Sequence, residues 1–189
     1  MARDALRILV TNDDGINAPG LKVLEKIAHT LSDDVWVVAP EYEQSGASHS
    51  LTLVEPLRIR RISKRRFAVG GTPTDCVVMA VNQIVEGKKP DLLLSGVNRG
   101  ANLAEAVTYS GTIAAAMEGT LLGIPSIAMS QVFQRPEPIH WATAETHGPG
   151  VVRKLRKAGW PSDVLMNVNY PPVKARAVKG TVATVQGRR

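Results

Sequence analysis

Two adjacent carboxylates, Asp13 and Asp14, follow directly on an apolar run in "ILVTNDDGINAPG", residues 8–20. No Lys or Arg lies within that stretch to neutralise them. Like charges this close raise a pKa unless a cation sits between them. Three more polar segments stand beside apolar runs: "EYEQSGASHS" after "VWVVAP", "GVNRGANL" after "DLLLS", and "TYSGT" before an Ala-rich run. Asp13 and Asp14 supply hard anionic oxygens, to which Ser45 can add a hydroxyl and Asn98 an amide carbonyl. A few oxygen ligands that leave positions for water and substrate suit Mg²⁺ or Mn²⁺. Zinc fits poorly, because Cys76 has no Cys or His partner nearby and the four histidines are scattered. The bland alternative for the acidic pair is turn chemistry, at which Asn-Asp-Asp-Gly is also good.

Ser110, Gly111 and Thr112 fall where a loop becomes a helix. Backbone N–H groups, the helix dipole and two hydroxyls there suit a phosphate, although a plain N-cap needs the same residues. No G-x-G-x-x-G occurs, and "GINAPGLK" lacks the Gly-Lys-Ser/Thr ending of a P-loop. Among the histidines only His49 lies in a candidate site loop, where a lone His is more often structural than catalytic.

The elements that must position these groups alternate between apolar runs and helix-period segments, the pattern of a parallel sheet with crossover helices. "LRILVT", "VWVVAP", "PDLLLSG", "PSIAMS" and "DVLMNVNY" read as strands. Pro19 opens a helix whose Leu21, Leu24, Ile27, Ala28 and Leu31 share one face. "TPTDCVVMAVNQIV" starts with Thr72 as N-cap, Pro73 in the first helical position and Asp75 in the first turn. "GTIAAAMEGTLLG" is a helix ending at Gly123, and another is expected around residues 142–158. "SLTLVEPLRIRRI" and "RRFAVGG" read as an antiparallel excursion. The expected architecture is a three-layer α/β/α, Rossmann-like domain over residues 1–189, with a doubly wound, mostly parallel sheet. In such sheets ligands bind beyond the carboxyl ends of the strands, where the polar loops fall.

Composition sets outer bounds. Hydrophobic residues are 44% of 189, charged residues 21% and aromatics only 4%, so the core must be built from aliphatic side chains. No apolar run approaches the ~18 residues that span a bilayer. A single cysteine and no leader pattern at the N-terminus predict a cytoplasmic protein. Net charge is +6, and "RIRRISKRR", residues 58–66, holds six of the 23 basic residues. Without interleaved aromatics to stack bases, the segment reads as a solvated hairpin pinned by Leu57, Ile59 and Ile62. A non-catalytic nucleotide- or RNA-binding module using the same rim is the rival reading; no specific nucleic acid is expected.

The ordered set "ILVTNDDGINAPG", "VVAPEYEQSGASHSLTL", "GTPTDC", "PDLLLSGVNRGANL", "YSGTIAAAMEGTLLGIPSIA" and "NVNYP" resembles the SurE family (survival protein E), metal-dependent phosphatases of nucleotides. The resemblance implies one divalent cation per subunit on Asp13, Asp14, Ser45 and Asn98, with Asp13 and Asp14 catalytic. It implies phosphate-site roles around Gly46, Ser110, Gly111 and Thr112. Asn12 and His49 complete the candidate substrate-binding set. The implied activity is hydrolysis of nucleoside monophosphates, with 3′-nucleotides and short polyphosphate as further substrates, in a homo-oligomer (dimer or tetramer). Two departures stand out. The family's Gly-x-Asp-Val before "YSGT" is here "AEAV", with Ala104 and Ala106, which removes an acid expected near the site. The family's C-terminal arm, which exchanges between subunits, is missing after "TVQGRR", so weaker association is expected.

Overall fold

"RILVT" forms β1 (Arg7–Thr11) at the centre of a seven-stranded sheet in the computed structural model, which describes residues 6–188. The expectation about a leader at residues 1–5 lies outside the described residues. The other strands are β2 (Asp34–Pro40), β3 (Ile59–Ser63), β4 (Arg66–Val69), β5 (Leu92–Arg99), β6 (Ser126–Gln131) and β7 (Met166–Tyr170). Their order is β3-β4-β2-β1-β5-β6-β7. Every neighbouring pair is parallel except β3 with β4. From β1 the chain builds outward through β2 and β4, then returns to the far side of β1 at β5. That reversal between β1 and β5 is the point where an open α/β sheet forms its crevice.

Both faces of the sheet are covered, which is why its inner strands are apolar on consecutive residues rather than alternate ones. Helices α1 (Pro19–His29) and α5 (Trp141–Ala158) flank one face, where Ile8, Val10, Val37, Leu92 and Leu94 meet Leu21, Leu24 and Ile27. On the other face α2 (Pro73–Met79) and α4 (Gly111–Leu121) cover Leu9, Val38 and Leu93 with Cys76, Val77, Ile113 and Ala116. A one-turn α3 (Ala106–Tyr109) precedes α4. Thr72 caps α2 as expected, in a reciprocal box: its hydroxyl accepts from Asp75 N at 3.1 Å and Asp75 Oδ2 accepts from Thr72 N at 2.9 Å. After Met79 the same helix continues as a π-helical turn, Ala80–Ile84.

Two expectations are corrected. The antiparallel excursion is shorter than expected: residues 50–58 form no strand, and β3 alone runs against β4, itself parallel to β2. Of the three aliphatic residues expected to pin the hairpin, Leu57 is half-buried but Ile59 and Ile62 are exposed. Its cations do that work instead. Arg66 reaches Glu25 and donates to Ile16 O at 2.6 Å, while Arg60 and Arg58 meet Glu41 at 2.9 and 3.4 Å. Four of the six cations of residues 58–66 thus stand beside carboxylates.

Candidate active site

The sheet brings the ends of β1 and β5 side by side, with Thr11 opposite Ser95. Asp13 and Asp14 follow β1 in a turn braced by Asn12, whose side-chain amide donates to Gly15 O at 3.0 Å. Asn98 sits at the end of β5 just past an irregularity: Ser95 pairs with Ala128 and Asn98 with Ser130, so Gly96 and Val97 together oppose Met129. The extra residue is a β-bulge, and it reverses the alternation. Val97 therefore joins the α1 face with Leu92 and Leu94, and Asn98 falls to the opposite face, that of α4. An uninterrupted strand would have turned Asn98 under α1. At this bulge Gly96 adopts φ +129°, and a Cβ there would lie 2.2 Å from Met129 O.

Helix α4 aims its N-terminus at the acidic turn. Ser110 is the N-cap, its hydroxyl accepting from Ile113 N at 3.2 Å. Thr112, fully buried, donates its hydroxyl to Asp13 Oδ1. Gln44 N donates to Asp13 O at 2.8 Å and ties in the Ser45 loop. Asp13, Asp14, Glu43, Ser45, Gly46, Asn98, Arg99 and Ser110 line one cleft of about 640 Å³, within the range of small-molecule sites. Asn12, Gly111 and Thr112 stand behind it. His49 faces elsewhere, with Nε2 2.9 Å from Glu118 Oε2 on α4.

Burial, more than mutual repulsion, governs the two carboxylates. Asp13 is pushed up to about 6, chiefly by desolvation; the Thr112 hydrogen bond pulls it back and the Asp14 charge adds to the rise. Asp14 is also raised, again first by burial, with the hydrogen bond from Arg99 N opposing and the Glu43 charge assisting. The expected repulsion is present, since the Asp14 charge raises Asp13, but it is smaller than the effect of burial. The site holds its anions partly dehydrated, which is costly without a cation.

Each of the four expected ligand residues is held in place by hydrogen bonding. The Thr112 hydroxyl engages Asp13 Oδ1, with backbone N–H groups of Asp13 and Thr112 adding to the hold on that carboxyl, and Arg99 N engages Asp14 Oδ2 at 3.3 Å. Ser45 donates its proton to Glu43 Oε1 at 2.9 Å, which leaves the oxygen lone pairs for a cation. Asn98 Nδ2 donates to Gly100 O at 3.0 Å, which leaves its carbonyl oxygen. Among the described residues no group of three or more His, Cys, Asp or Glu is placed to hold a metal. Two carboxylates with neutral oxygens and water are a donor set for Mg²⁺ or Mn²⁺, so the residues fit.

Thr112 is accordingly expected to act through Asp13. Thr112→Val keeps the shape, deletes the hydrogen bond and lets the Asp13 carboxyl rise further. Titration of the folded variant with Mn²⁺ should show affinity lower by about 10- to 100-fold, the usual loss when a group orienting a ligand is removed.

Sequence reading missed several lining residues: Glu43, Arg99, Asn102, Glu105, Tyr109, Phe133 and Arg135. Asn102 is buried, and its side chain donates to Ser130 Oγ at 2.8 Å. Its backbone is held from β7, donating to Asn169 Oδ1 at 3.0 Å and accepting from Asn167 Nδ2 at 2.8 Å. The polar alternation of "NVNY" was the available signal. Of the two departures in "AEAV", Ala106 does line the cleft, and Ala104 holds φ +52°, a conformation that favours glycine.

Comparison with known proteins agrees with this fold. Residues 8–189 match the family model described as Survival protein SurE. The 5′-nucleotidase SurE of Paramagnetospirillum magneticum is 63% identical over 185 residues, covering 98% of this chain and 71% of that protein. The 5′-nucleotidase SurE of Parvibaculum lavamentivorans is 62% identical over 187 residues, covering 98% and 68%. The crystal structure of the SurE protein from Aquifex aeolicus superposes with a TM-score of 0.90 at 43% identity, over 97% of this chain and 73% of that one. A doubly wound sheet, an acidic turn at its switch point and likeness along nearly the whole of this chain at this level of identity lead to one conclusion: the chain belongs to the SurE family.

Proposed function

We propose that this chain is a 5′-nucleotidase, hydrolysing nucleoside monophosphates to nucleoside and phosphate in the cleft at the β1–β5 switch point. The names of relatives about 60% identical over nearly the whole chain support the activity. The observation that carries the site is the set of four oxygen-bearing side chains, each held by hydrogen bonding, on the lining of one cleft. Asp13, Asp14, Ser45 and Asn98 would hold one divalent cation, Mg²⁺ or Mn²⁺. When bound, that cation supplies positive charge to a phosphoryl oxygen and acidity to a water.

The chain's own groups do the rest. Asp14, only partly buried, orients the attacking water and takes its proton as the oxygen bonds to phosphorus and the ester P–O bond breaks, while the departing nucleoside oxygen takes up a proton from water in the open cleft. The backbone N–H groups at the start of α4, with the Ser110 hydroxyl, face the equatorial oxygens, whose charge shifts in the transition state. Thr112 and Gly111 position Asp13 against that helix end. His49 is assigned a positioning role, joining the Ser45 loop to α4 through Glu118, with Ser48 Oγ donating to Thr108 O at 2.8 Å beside it. 3′-Nucleotides and short polyphosphate are proposed as further substrates, a homo-oligomer as the working form, and the cytoplasm as its place. No helix among the described residues is long and apolar enough to cross a membrane.

Release of inorganic phosphate from AMP with Mn²⁺, with and without EDTA, tests the reading. Release that EDTA abolishes supports it. Binding of AMP without release under any divalent metal would favour a binding module instead.

A further inference from the structure

The loop that carries Ser45 and Gly46 leaves β2 and runs on through residues 50–58, which form no strand. Its apolar residues do not hold it down, for Leu51, Leu53 and Val54 are all exposed. Hydrogen bonds fix it at two ends instead. At the near end Gln44 N donates to Asp13 O at 2.8 Å, next to Ser45. At the far end Asp75 grips Thr52, accepting from its backbone N at 3.0 Å through Oδ1 and from its hydroxyl at 2.7 Å through Oδ2. Thr72 adds a bond there, its hydroxyl donating to Ser50 O at 2.7 Å. These are the same two side chains that cap α2. A capping box asks only for one acidic side chain on the N-cap N–H, so Asp75 does more than close its own helix. The residue is buried, and three donors compensate a charge that is otherwise costly to dehydrate. Gly71 keeps the space beside it clear: a Cβ there would lie 2.7 Å from Asp75 Oδ2. The start of α2 in turn abuts the start of α4, where a Cβ on Gly111 would lie 3.0 Å from Pro73 Cγ.

We infer that Asp75 and Thr52 are positioning residues for the metal site: the buried carboxylate of α2 clamps the far end of the loop and so sets where Ser45 stands. This rests on the reading of Ser45 as a ligand, and it adds two residues that lie outside the cleft lining. Gln44 and Thr52 both border a separate hollow of about 320 Å³, so hydrogen bonds rather than packing fix the distance between the two ends of the span. A loop free to wander presents its hydroxyl to a cation for only part of the time, and apparent affinity falls with that fraction. The clamp raises the fraction before any metal arrives. A carboxylate suits the task, because hydrogen bonds to an ionised acceptor are roughly twice as strong as neutral ones. The ties in the middle of the loop, Ser48 to Thr108 O and His49 to Glu118, stand at exposed positions where water competes for them.

The test is calorimetric titration of the folded, metal-free protein with Mn²⁺ alone, in wild type, Thr52→Val, Thr52→Ser, Asp75→Asn, Ser45→Ala and the double variant Ser45→Ala/Thr52→Val. Thr52→Val keeps the shape and leaves the α2 capping box intact while deleting the hydroxyl donor. It should lower Mn²⁺ affinity by about 3- to 10-fold, within the worth of one hydrogen bond. Thr52→Ser keeps the hydroxyl and should bind as wild type does. Asp75→Asn offers one acceptor oxygen in place of two, so a backbone N–H of Thr52 or Thr72 is left facing an amide NH₂, and affinity should fall further. If that variant does not fold, Thr52→Val decides. In the Ser45→Ala background Thr52→Val should cost nothing more, because the loop then has no ligand to place. A bond that served stability alone would lower the melting temperature and leave affinity unchanged. Unchanged affinity in Thr52→Val beside a loss in Ser45→Ala would therefore overturn the clamp and leave the ligand reading standing. An equal loss in both backgrounds would overturn it too, since the effect would not pass through Ser45. Unchanged affinity in Ser45→Ala would remove Ser45 from the metal ligands, and the clamp's role with it.

Discussion

Asp13→Asn should make the metal-free protein more stable at pH 8 while lowering phosphate release from AMP by about 10²- to 10³-fold, the loss expected when a charge-stabilising group leaves a site. The two halves of that result have one cause. In the folded chain the Asp13 carboxyl stands at about 6, against an ordinary 3.8. The folded state therefore binds the proton more tightly than the unfolded state between those values, and stability falls as pH rises through about 6. At pH 8 the ionised group costs on the order of 3 kcal/mol, taking 1.36 kcal/mol per unit. Asparagine keeps an oxygen to accept from Thr112 and carries no charge to dehydrate. Its advantage in thermal melts should be fully present at pH 8, shrink below pH 6 and vanish only below the ordinary value of 3.8, near pH 3, where wild type is protonated in both states. Asp14→Asn should act in the same direction on stability, but less, because Asp14 is less buried and its backbone partner is already a donor. Mn²⁺ should raise the melting temperature of wild type and of neither variant, since stabilisation follows ligand concentration over its dissociation constant. Wild-type turnover in either variant would remove that residue from the site. A pH-independent stability difference for Asp13→Asn would show that burial does not hold its carboxyl up.

The parts of this site that could be read in the sequence are those fixed by local chemistry. Strand β1 running into Asn-Asp-Asp-Gly, Thr72-Pro73 opening α2, and Ser110 capping α4 are each decided within a few residues. The placement of polar loops at strand ends follows from parallel topology, which the alternation of apolar and helix-period segments announces. What stayed hidden depends on residues far apart in the chain. The bulge at Gly96–Val97 is defined by pairing with Met129, so counting alternate residues along "LLLSGVNR" puts Asn98 on the wrong face. Asn102 acquires its place only through Asn167 and Asn169 on β7, and Phe133 its own only beneath Arg99. Residues 50–58 have strand-like composition but no neighbour: β4 has β2 on one side and β3 on the other. His49 looked like a site histidine because its loop carries Ser45, yet its ring is turned to Glu118.

Gly111→Ala sets two well-defined effects against each other, and geometry should win. Gly111 is the first residue of α4, where alanine is the better helix former by about 0.8–1 kcal/mol in a helix interior and less at an end. A Cβ on Gly111, however, would lie 2.7 Å from Asp13 Cβ, 3.0 Å from Pro73 Cγ and 3.1 Å from Asp13 Oδ2. Asp13 Cβ is one bond from the backbone, so no side-chain rotation clears the contact. Either the acidic turn or the start of α4 must move, and α4 is anchored by buried Ile113, Ala115 and Ala116. Overpacking of this kind costs about 1–3 kcal/mol, more than the propensity gain. The displacement also separates Thr112 from Asp13 and the helix terminus from the phosphate position. A shift near 1 Å at reacting groups is worth roughly 10²-fold in rate. We therefore expect Gly111→Ala to melt below wild type and to lose about two orders of magnitude in kcat for AMP. Gly150→Ala is the matched control: it lies inside α5, and a Cβ there meets nothing within 4 Å. That variant should gain about 0.5–1 kcal/mol and leave turnover unchanged. If Gly111→Ala behaved like Gly150→Ala, the close approach of α4 to Asp13 would not be what holds the acidic turn in place.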